Sequence, residues 1–333
     1  MNQPWWRPLR RWLTGHPPAR TNPLSRQFPA WATAQTLVRA YYAALLYLAF
    51  TSMPTWAGLA AGRSDLGLLW PVVWTRALGM GPGLLAVMAL YLGGSFAAAV
   101  APANRICRGL AALGMLEFTA FEYSAGKIGH SSHLWVLTAL ILVFLPKTGV
   151  SAGRRERQDY LNVFWTAHAL ILLTYTMSGL GKVAGALYQS IQGQVTAFHP
   201  QALALHVVAR LAETGSQSPV GDWLVDHSWV GWPLMLGAIY LQTFAFWSIF
   251  RPRLLRVWTI GLIAFHLATF FVLTIRFAPP VLLLALWGLA SPFAPSNSSL
   301  GEILADLPLF GTFFGKASLG AADPNQGPIG RKG

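Results

Sequence analysis

A lysine, two histidines and two glutamates fall inside or at the ends of long apolar runs, where proton chemistry is the natural use for them. Lys182 closes one run in the order Tyr175-Thr-Met-Ser-Gly-Leu-Gly-Lys182. His266 lies midway along another, between Phe265 and Leu267, and His133 opens a third. Glu117 and Glu122 share a fourth, with Lys127 and His130 just beyond it. Ionisable side chains are expensive in hydrocarbon and are kept there to pair or to act. A lysine taken out of water gives up its proton more readily and can serve as a base. Gly179 and Gly181 remove side chains beside Lys182 and permit close helix approach. The competing reading is a lysine that snorkels to the lipid headgroups.

The other candidates have alternatives too. A midplane imidazole at His266 needs a partner. His133 reads equally as an interfacial histidine. Glu117 and Glu122 are five apart and project about 140° apart on a helix, so they do not share one pocket. Glu122 is the better placed by depth, and an ion pair with Lys127 competes with a functional role. Gln242 reads as an interhelical hydrogen-bond partner, and His199 and His206 as surface residues. His130 and His133 have an i, i+3 spacing that a metal site could use, but no carboxylate or thiol cluster matches them, so no metal is expected. No Gly-rich phosphate loop, GxSxG elbow or HExxH is present.

These residues have to be positioned by apolar helices. A helix needs about 20 mostly apolar residues to cross a bilayer. Candidate spans are 36–56, 83–101, 107–126, 131–147, 160–182, 229–250, 257–276 and 279–294, about eight in all. The patch 66–74 is broken by Pro71 and reads as a re-entrant or interfacial turn. The expected fold is therefore an all-α polytopic transmembrane bundle. The expected organisation is a basic leader at 1–34, a transmembrane domain at 35–294 and a partly disordered tail at 295–333. Trp5, Trp6 and Trp12 among Arg7, Arg10 and Arg11 suit a leader at headgroup level, with span one as the insertion signal. The segment 183–228 carries a helical piece, 202–211, and a Gly/Ser/Pro break, 215–221, and is expected to pack on the outer face.

Composition supports this. Of 333 residues 54% are hydrophobic and 11% charged, with mean hydropathy +0.46 and net charge +13. A soluble globule carries about 25% charged residues. One cysteine, Cys107, excludes a disulfide scaffold. The excess of 24 Lys+Arg over 11 Asp+Glu could indicate an anionic partner, so its placement decides. With the N-terminus inside, 17 basic residues fall on one side and 6 on the other, with Arg39 inside span one. That is the positive-inside pattern, with both termini cytoplasmic in a multi-pass cell-membrane protein. Charges divided among short loops argue against nucleic acid.

The order of these motifs resembles the vitamin K-dependent γ-carboxylase-like membrane family, the HTTM domain. Tyr175 to Lys182 resembles its Gly-x-x-Lys element. Ser132-His133-Leu134-Trp135 resembles its Asn-His-aromatic element. Phe265-His266, then Phe277 and Ser291-Pro292-Phe293, resemble its Phe-His region, and Arg39 entering span one fits. The resemblance covers 35–294. It implies Lys182 as base toward a reduced vitamin K-type quinol, with His133 and His266 as catalytic partners that orient or polarise the quinol. Glu122, Lys127, His130 and Tyr175 would line the pocket. Gly181 stands where the carboxylases have a second lysine, and Val183 to Tyr188 replaces their acidic-aromatic patch. Their large extracytoplasmic substrate-gripping domain has no counterpart here. A short bacterial branch, of the sporulation-delaying-protein B type, matches the length and implies a secreted peptide and a small co-encoded soluble protein as partners beside the lipid bilayer. A non-enzymatic partner in peptide maturation or export, and a small-solute transporter, are the other function classes.

Overall fold

The computed structural model describes residues 27–62, 67–126, 131–147, 152–295 and 298–311. Within them the chain is helical and holds no strand. Helix α1 (Gln27–Thr51) leads into α2 (Met53–Gly62). A short 3₁₀ helix, Trp70–Ala77, follows, then the hairpin α3 (Met80–Val100) and α4 (Arg105–Tyr123). Next come α5 (His133–Leu142) and the long α6 (Arg154–Ile191). Two short helices, α7 (Ala202–Thr214) and α8 (Pro219–Asp226), precede α9 (Ser228–Thr243) and a 3₁₀ helix, Ala245–Phe250. The chain then forms α10 (Leu254–Leu273), α11 (Ala278–Leu284) with a π turn at Ala285–Leu289, and α12 (Leu300–Asp306).

Three helices, α3, α6 and α10, are long and apolar enough to cross a membrane. Three other candidate spans are built differently from their sequence outlines. The run 131–147 is helical for ten residues only and leaves the α form before Pro146, a residue type that disfavours helix at the position preceding it. The run 229–250 gives α9 and then tightens into 3₁₀ turns, and 279–294 ends in the π turn. Helix α6 outruns its expected span at both ends. Its 38 residues are about 57 Å long, against a hydrocarbon core of about 30 Å. Of the patch 66–74, read as a re-entrant or interfacial turn, residues 70–74 enter the 3₁₀ helix, with Pro71 in its first turn, where a missing N–H costs nothing.

Close backbone contact at small residues builds the hairpin. A Cβ on Gly94 would lie 2.7 Å from the carbonyl carbon of Leu110, and one on Gly114 2.6 Å from the Cα of Tyr91. The centre of the bundle is aromatic. Tyr41 stacks on Trp135 at 5.0 Å and Phe164 on Trp287 at 4.8 Å, with all four side chains fully buried. Two long-range bonds lock this layer: Tyr41 Oη donates to the Trp135 carbonyl at 2.7 Å, and Trp135 Nε1 to the Pro279 carbonyl at 2.9 Å. Arg108 is 1% exposed, and its two Nη groups donate to the carbonyls of Pro102, Val143 and Leu145, which pins the end of α5 to the start of α4, while its Nε has no partner.

The tail, whose stretch from Leu300 is weakly amphipathic in sequence, holds a short docked helix. Helix α12 is closed by a Ser299–Glu302 capping box and docks on the segment after α9. Arg251 and Asp306 form a buried ion pair at 3.1 Å, Trp247 Nε1 donates to the Asp306 carbonyl, and Tyr240 Oη to that of Pro308. The leader's Trp/Arg cluster and the rest of the tail, 312–333, lie outside the described residues.

Candidate functional site

Helix α6 carries His168, Tyr175 and Lys182 at intervals of seven. Seven residues make two turns less about 20°, so the three lie along one stripe, each about 10.5 Å from the next. His168 is 1% exposed and its Nδ1 has no hydrogen-bond partner. In the sequence it is a histidine within an apolar run, and its heptad spacing to Tyr175 and Lys182 is the signal that ties it to the stripe.

Tyr175 is the centre of the site. Its hydroxyl lies 2.7 Å from Nε2 of His266 on α10, a contact between residues 91 apart in the chain. Both side chains are buried. The His266 ring is flanked by Phe277 at 4.8 Å and Phe265 at 5.2 Å between centroids. Its Nδ1 is buried and has no protein partner. If tyrosine donates to Nε2, Nδ1 carries the ring proton and offers a donor; in the other arrangement Nδ1 offers a lone pair. Either way one polar atom in an apolar enclosure is left to a third group.

Lys182 lies two turns beyond Tyr175, half-buried, and its Nζ donates to Ser178 Oγ at 2.9 Å. It stands within the helix rather than at its end, because α6 continues to Ile191. Of the two adjacent glycines only Gly179 makes a close approach. A Cβ there would lie 2.3 Å from the Thr243 backbone nitrogen, whereas one on Gly181 would meet nothing within 4 Å. Thr176 Oγ1 accepts from the backbone N–H of Phe246 at 2.8 Å, so one turn of α6 is fixed to the end of α9 by both contact and hydrogen bond. Gln242, expected as an interhelical hydrogen-bond partner, leaves its Oε1 buried and unpartnered, and its backbone is what packs against Gly179.

The other expected residues are dispersed. His133 is the first residue of α5 and meets Tyr123 edge-on at 5.3 Å. Glu122 is half-buried on α4, whose main neighbours are α3, α5 and the 70–77 turn, while α6 packs chiefly on α9, α5, α1 and the 245–250 turn. Lys127 and His130 lie outside the described residues. Among the described residues no three His, Cys, Asp or Glu side chains gather as a metal site.

A groove of about 330 Å³ lies elsewhere, between α7 and α8, with Val207, Val208, Leu211 and Val225 as its wall and Asp222 and Asp226 on its rim. Two polar contacts escaped sequence reasoning. One is Trp74 Nε1 donating to Glu117 Oε1 at 3.2 Å; the other is the Arg251–Asp306 pair. Nothing in local spacing signals either, since the partners are 43 and 55 residues apart.

The chain matches no protein-family model, no curated protein and no solved structure.

Proposed function

We propose that this chain is an integral cell-membrane protein of the HTTM type, an eight-span bundle with both termini cytoplasmic, and that it carries out proton-transfer chemistry at its outer face. The observation that carries this reading is the 2.7 Å contact between Tyr175 and His266. It joins the helix of the Gly-x-x-Lys element to the helix of the Phe-His element, two segments singled out independently in the sequence. The three apolar helices of membrane length and the 17-to-6 division of basic residues support the membrane setting.

In this reading Lys182 acts as the base in its neutral amine form, and Ser178 holds the side-chain nitrogen in place on the helix face. His266 orients a bound oxygen function through Nδ1, with its tautomer set by Tyr175. The unpartnered Nδ1 beside the Phe265 and Phe277 rings fits a flat molecule with a polar oxygen, such as a reduced quinol. A quinol would supply an acidic hydroxyl there; the chain's residues exclude water and hold the proton. The test uses menadione as probe, read by quenching of tryptophan fluorescence in the detergent-solubilised full-length protein. Wild type is expected to bind, and His266→Ala and Tyr175→Phe to weaken binding about tenfold. Equal binding by all three overturns the quinol assignment, and wild-type cellular phenotype for Lys182→Ala and His133→Ala at normal membrane levels overturns the catalytic one.

The folded outer segment favours a second reading, a non-enzymatic partner in peptide maturation. Its α7–α8 groove has an apolar wall and an acidic rim. Crosslinking of that segment to a co-encoded soluble protein, unaffected by Lys182→Ala, would favour it.

A further inference from the structure

Away from the Tyr175–His266 site, one carboxyl group is enclosed with too few partners. Glu117 on α4 is 7% exposed. Its Oε1 accepts one hydrogen bond, from the Trp74 indole at 3.2 Å, and its Oε2 is buried with no partner at all. An ionised carboxylate has about four acceptor sites to fill. One neutral indole fills one of them, and an uncompensated buried charge is far more costly than a neutral acid in the same place. A membrane-depth carboxyl of this kind is a functional group by default.

What covers Glu117 is a light, separable piece of the chain. The 3₁₀ helix Trp70–Ala77 is tied to α4 by two side-chain hydrogen bonds, Trp74 to Glu117 and the Leu69 N–H to Ser124 Oγ at 3.0 Å. Val72 and Thr75 are its buried inner face, with Thr75 against Gly83 of α3. Its outer face is open: Trp70 is 82% and Trp74 40% exposed. The segment ends at Gly79, whose φ of 81° is open to glycine and strained for other residues, so a hinge is available between the turn and α3. Trp70 and Trp74 suit a membrane–water boundary, where protons are exchangeable with solvent.

We propose that Glu117 is a proton-binding site and that the 70–77 turn is its lid. The turn seats while the carboxyl carries a proton, and it lifts when the proton passes to water and the carboxylate needs solvent. The groups that bear on Glu117 are few. On its own helix they are Arg105, Cys107, Arg108, Glu122 and Tyr123. On the described elements packed against α4 they are Arg76 of the turn, Tyr91 of α3 and His133 of α5. None of these forms a hydrogen bond or ion pair with Glu117. The inference rests on the membrane setting of the proposed function but shares no residue with the Tyr175–His266 pair, so failure of the quinol reading leaves it standing.

Two measurements on the full-length protein test it. The first is infrared spectroscopy across pH. A neutral-acid carbonyl band is expected near neutral pH, kept in Glu122→Gln, absent in Glu117→Gln, and shifted in Trp74→Phe, which removes the indole donor without touching the acid. The second uses Cys107→Ser as a background free of native cysteine. The maleimide labelling rate of Thr75→Cys, on the buried inner face of the lid, is divided by that of exposed Arg76→Cys to cancel thiol ionisation. The ratio is expected to rise roughly tenfold as pH passes through loss of the carbonyl band. With Glu117→Gln added, the ratio is expected to stay flat. A wild-type spectrum without the band, a band unchanged in Glu117→Gln, or a ratio that rises equally with Glu117→Gln present overturns the proposal. Should Glu117→Gln fail to fold, a band position identical in Trp74→Phe and wild type overturns it.

Discussion

Replacing Gly179 by alanine tests the packing that holds the candidate site together. The added Cβ would lie 2.3 Å from the Thr243 nitrogen, 2.6 Å from its Cα and 2.7 Å from the Gln242 carbonyl carbon. Carbon atoms are at ease at about 3.5–4.0 Å. All three obstructing atoms are backbone, so no rotamer change relieves the contact, and α6 and α9 must part by about 1 Å. Overpacking of this kind costs about 1–3 kcal/mol, and rigid backbone partners place this site in the upper half of that range. Against it stands the helix preference for alanine over glycine, up to about 1 kcal/mol. Gly181→Ala gains the same preference and meets nothing within 4 Å. Gly181→Ala is thus expected to be neutral or stabilising by up to about 1 kcal/mol, and Gly179→Ala to be destabilising by about 1–2 kcal/mol. The gap between them is about 2–3 kcal/mol, a factor of roughly 30–150 in the unfolding equilibrium. Denaturant titration of the purified protein in micelles, with Gly185→Ala as a second open-space control, reads it directly. Coincident midpoints for Gly179→Ala and Gly181→Ala would refute the close approach of α6 to α9, and with it the account of how Tyr175 is placed.

Other outcomes follow from the same contacts. Tyr175→Phe strips the His266 Nε2 of its partner in a buried place and should cost about 1–3 kcal/mol in the same titration, while Tyr188→Phe, on a side chain 64% exposed, should cost nothing measurable. Asp306→Ala removes the buried partner of Arg251 and should cost about 3–5 kcal/mol of local stability, seen as rapid proteolysis within 298–311; Glu302→Gln, at an exposed pair with Arg253, should leave proteolysis at neutral pH much closer to wild type. Acid should loosen α12 in a defined window. The Ser299 backbone N–H, then Arg253, holds the Glu302 carboxyl below its ordinary value of 4.5. Its contribution is therefore full above that value and is lost as pH falls through the lower folded one. Protection of 298–311 from protease should drop in that range in wild type and lose this pH dependence in Glu302→Gln.

How much of the site could be read in advance varies by residue. Tyr175, His266 and Lys182 stood out because each is a polar group in an apolar run, which is a local property of the chain. That Tyr175 and His266 meet was not legible, since 91 residues separate them and only the crossing of α6 and α10 brings them to 2.7 Å. The Gly179–Gly181 pair shows the same limit within three residues. Both are glycines beside a lysine, but helical geometry turns one toward α9 and the other to open space. Gln242 reversed its expected role for that reason too: its backbone makes the contact, and its side-chain oxygen has no partner. Glu117 was set aside in favour of Glu122 on depth, although the more enclosed of the two is Glu117, because a turn 43 residues earlier folds over it.

Sequence alone determined that the chain is helical and apolar, with its ionisable residues in a few telling places. Those are one-dimensional properties: residue type, run length and order. The tertiary structure decided where helices end, which glycines serve as contacts, and which polar atoms are paired or left over. Such outcomes depend on two or more segments competing for the same space, and no single segment carries that information.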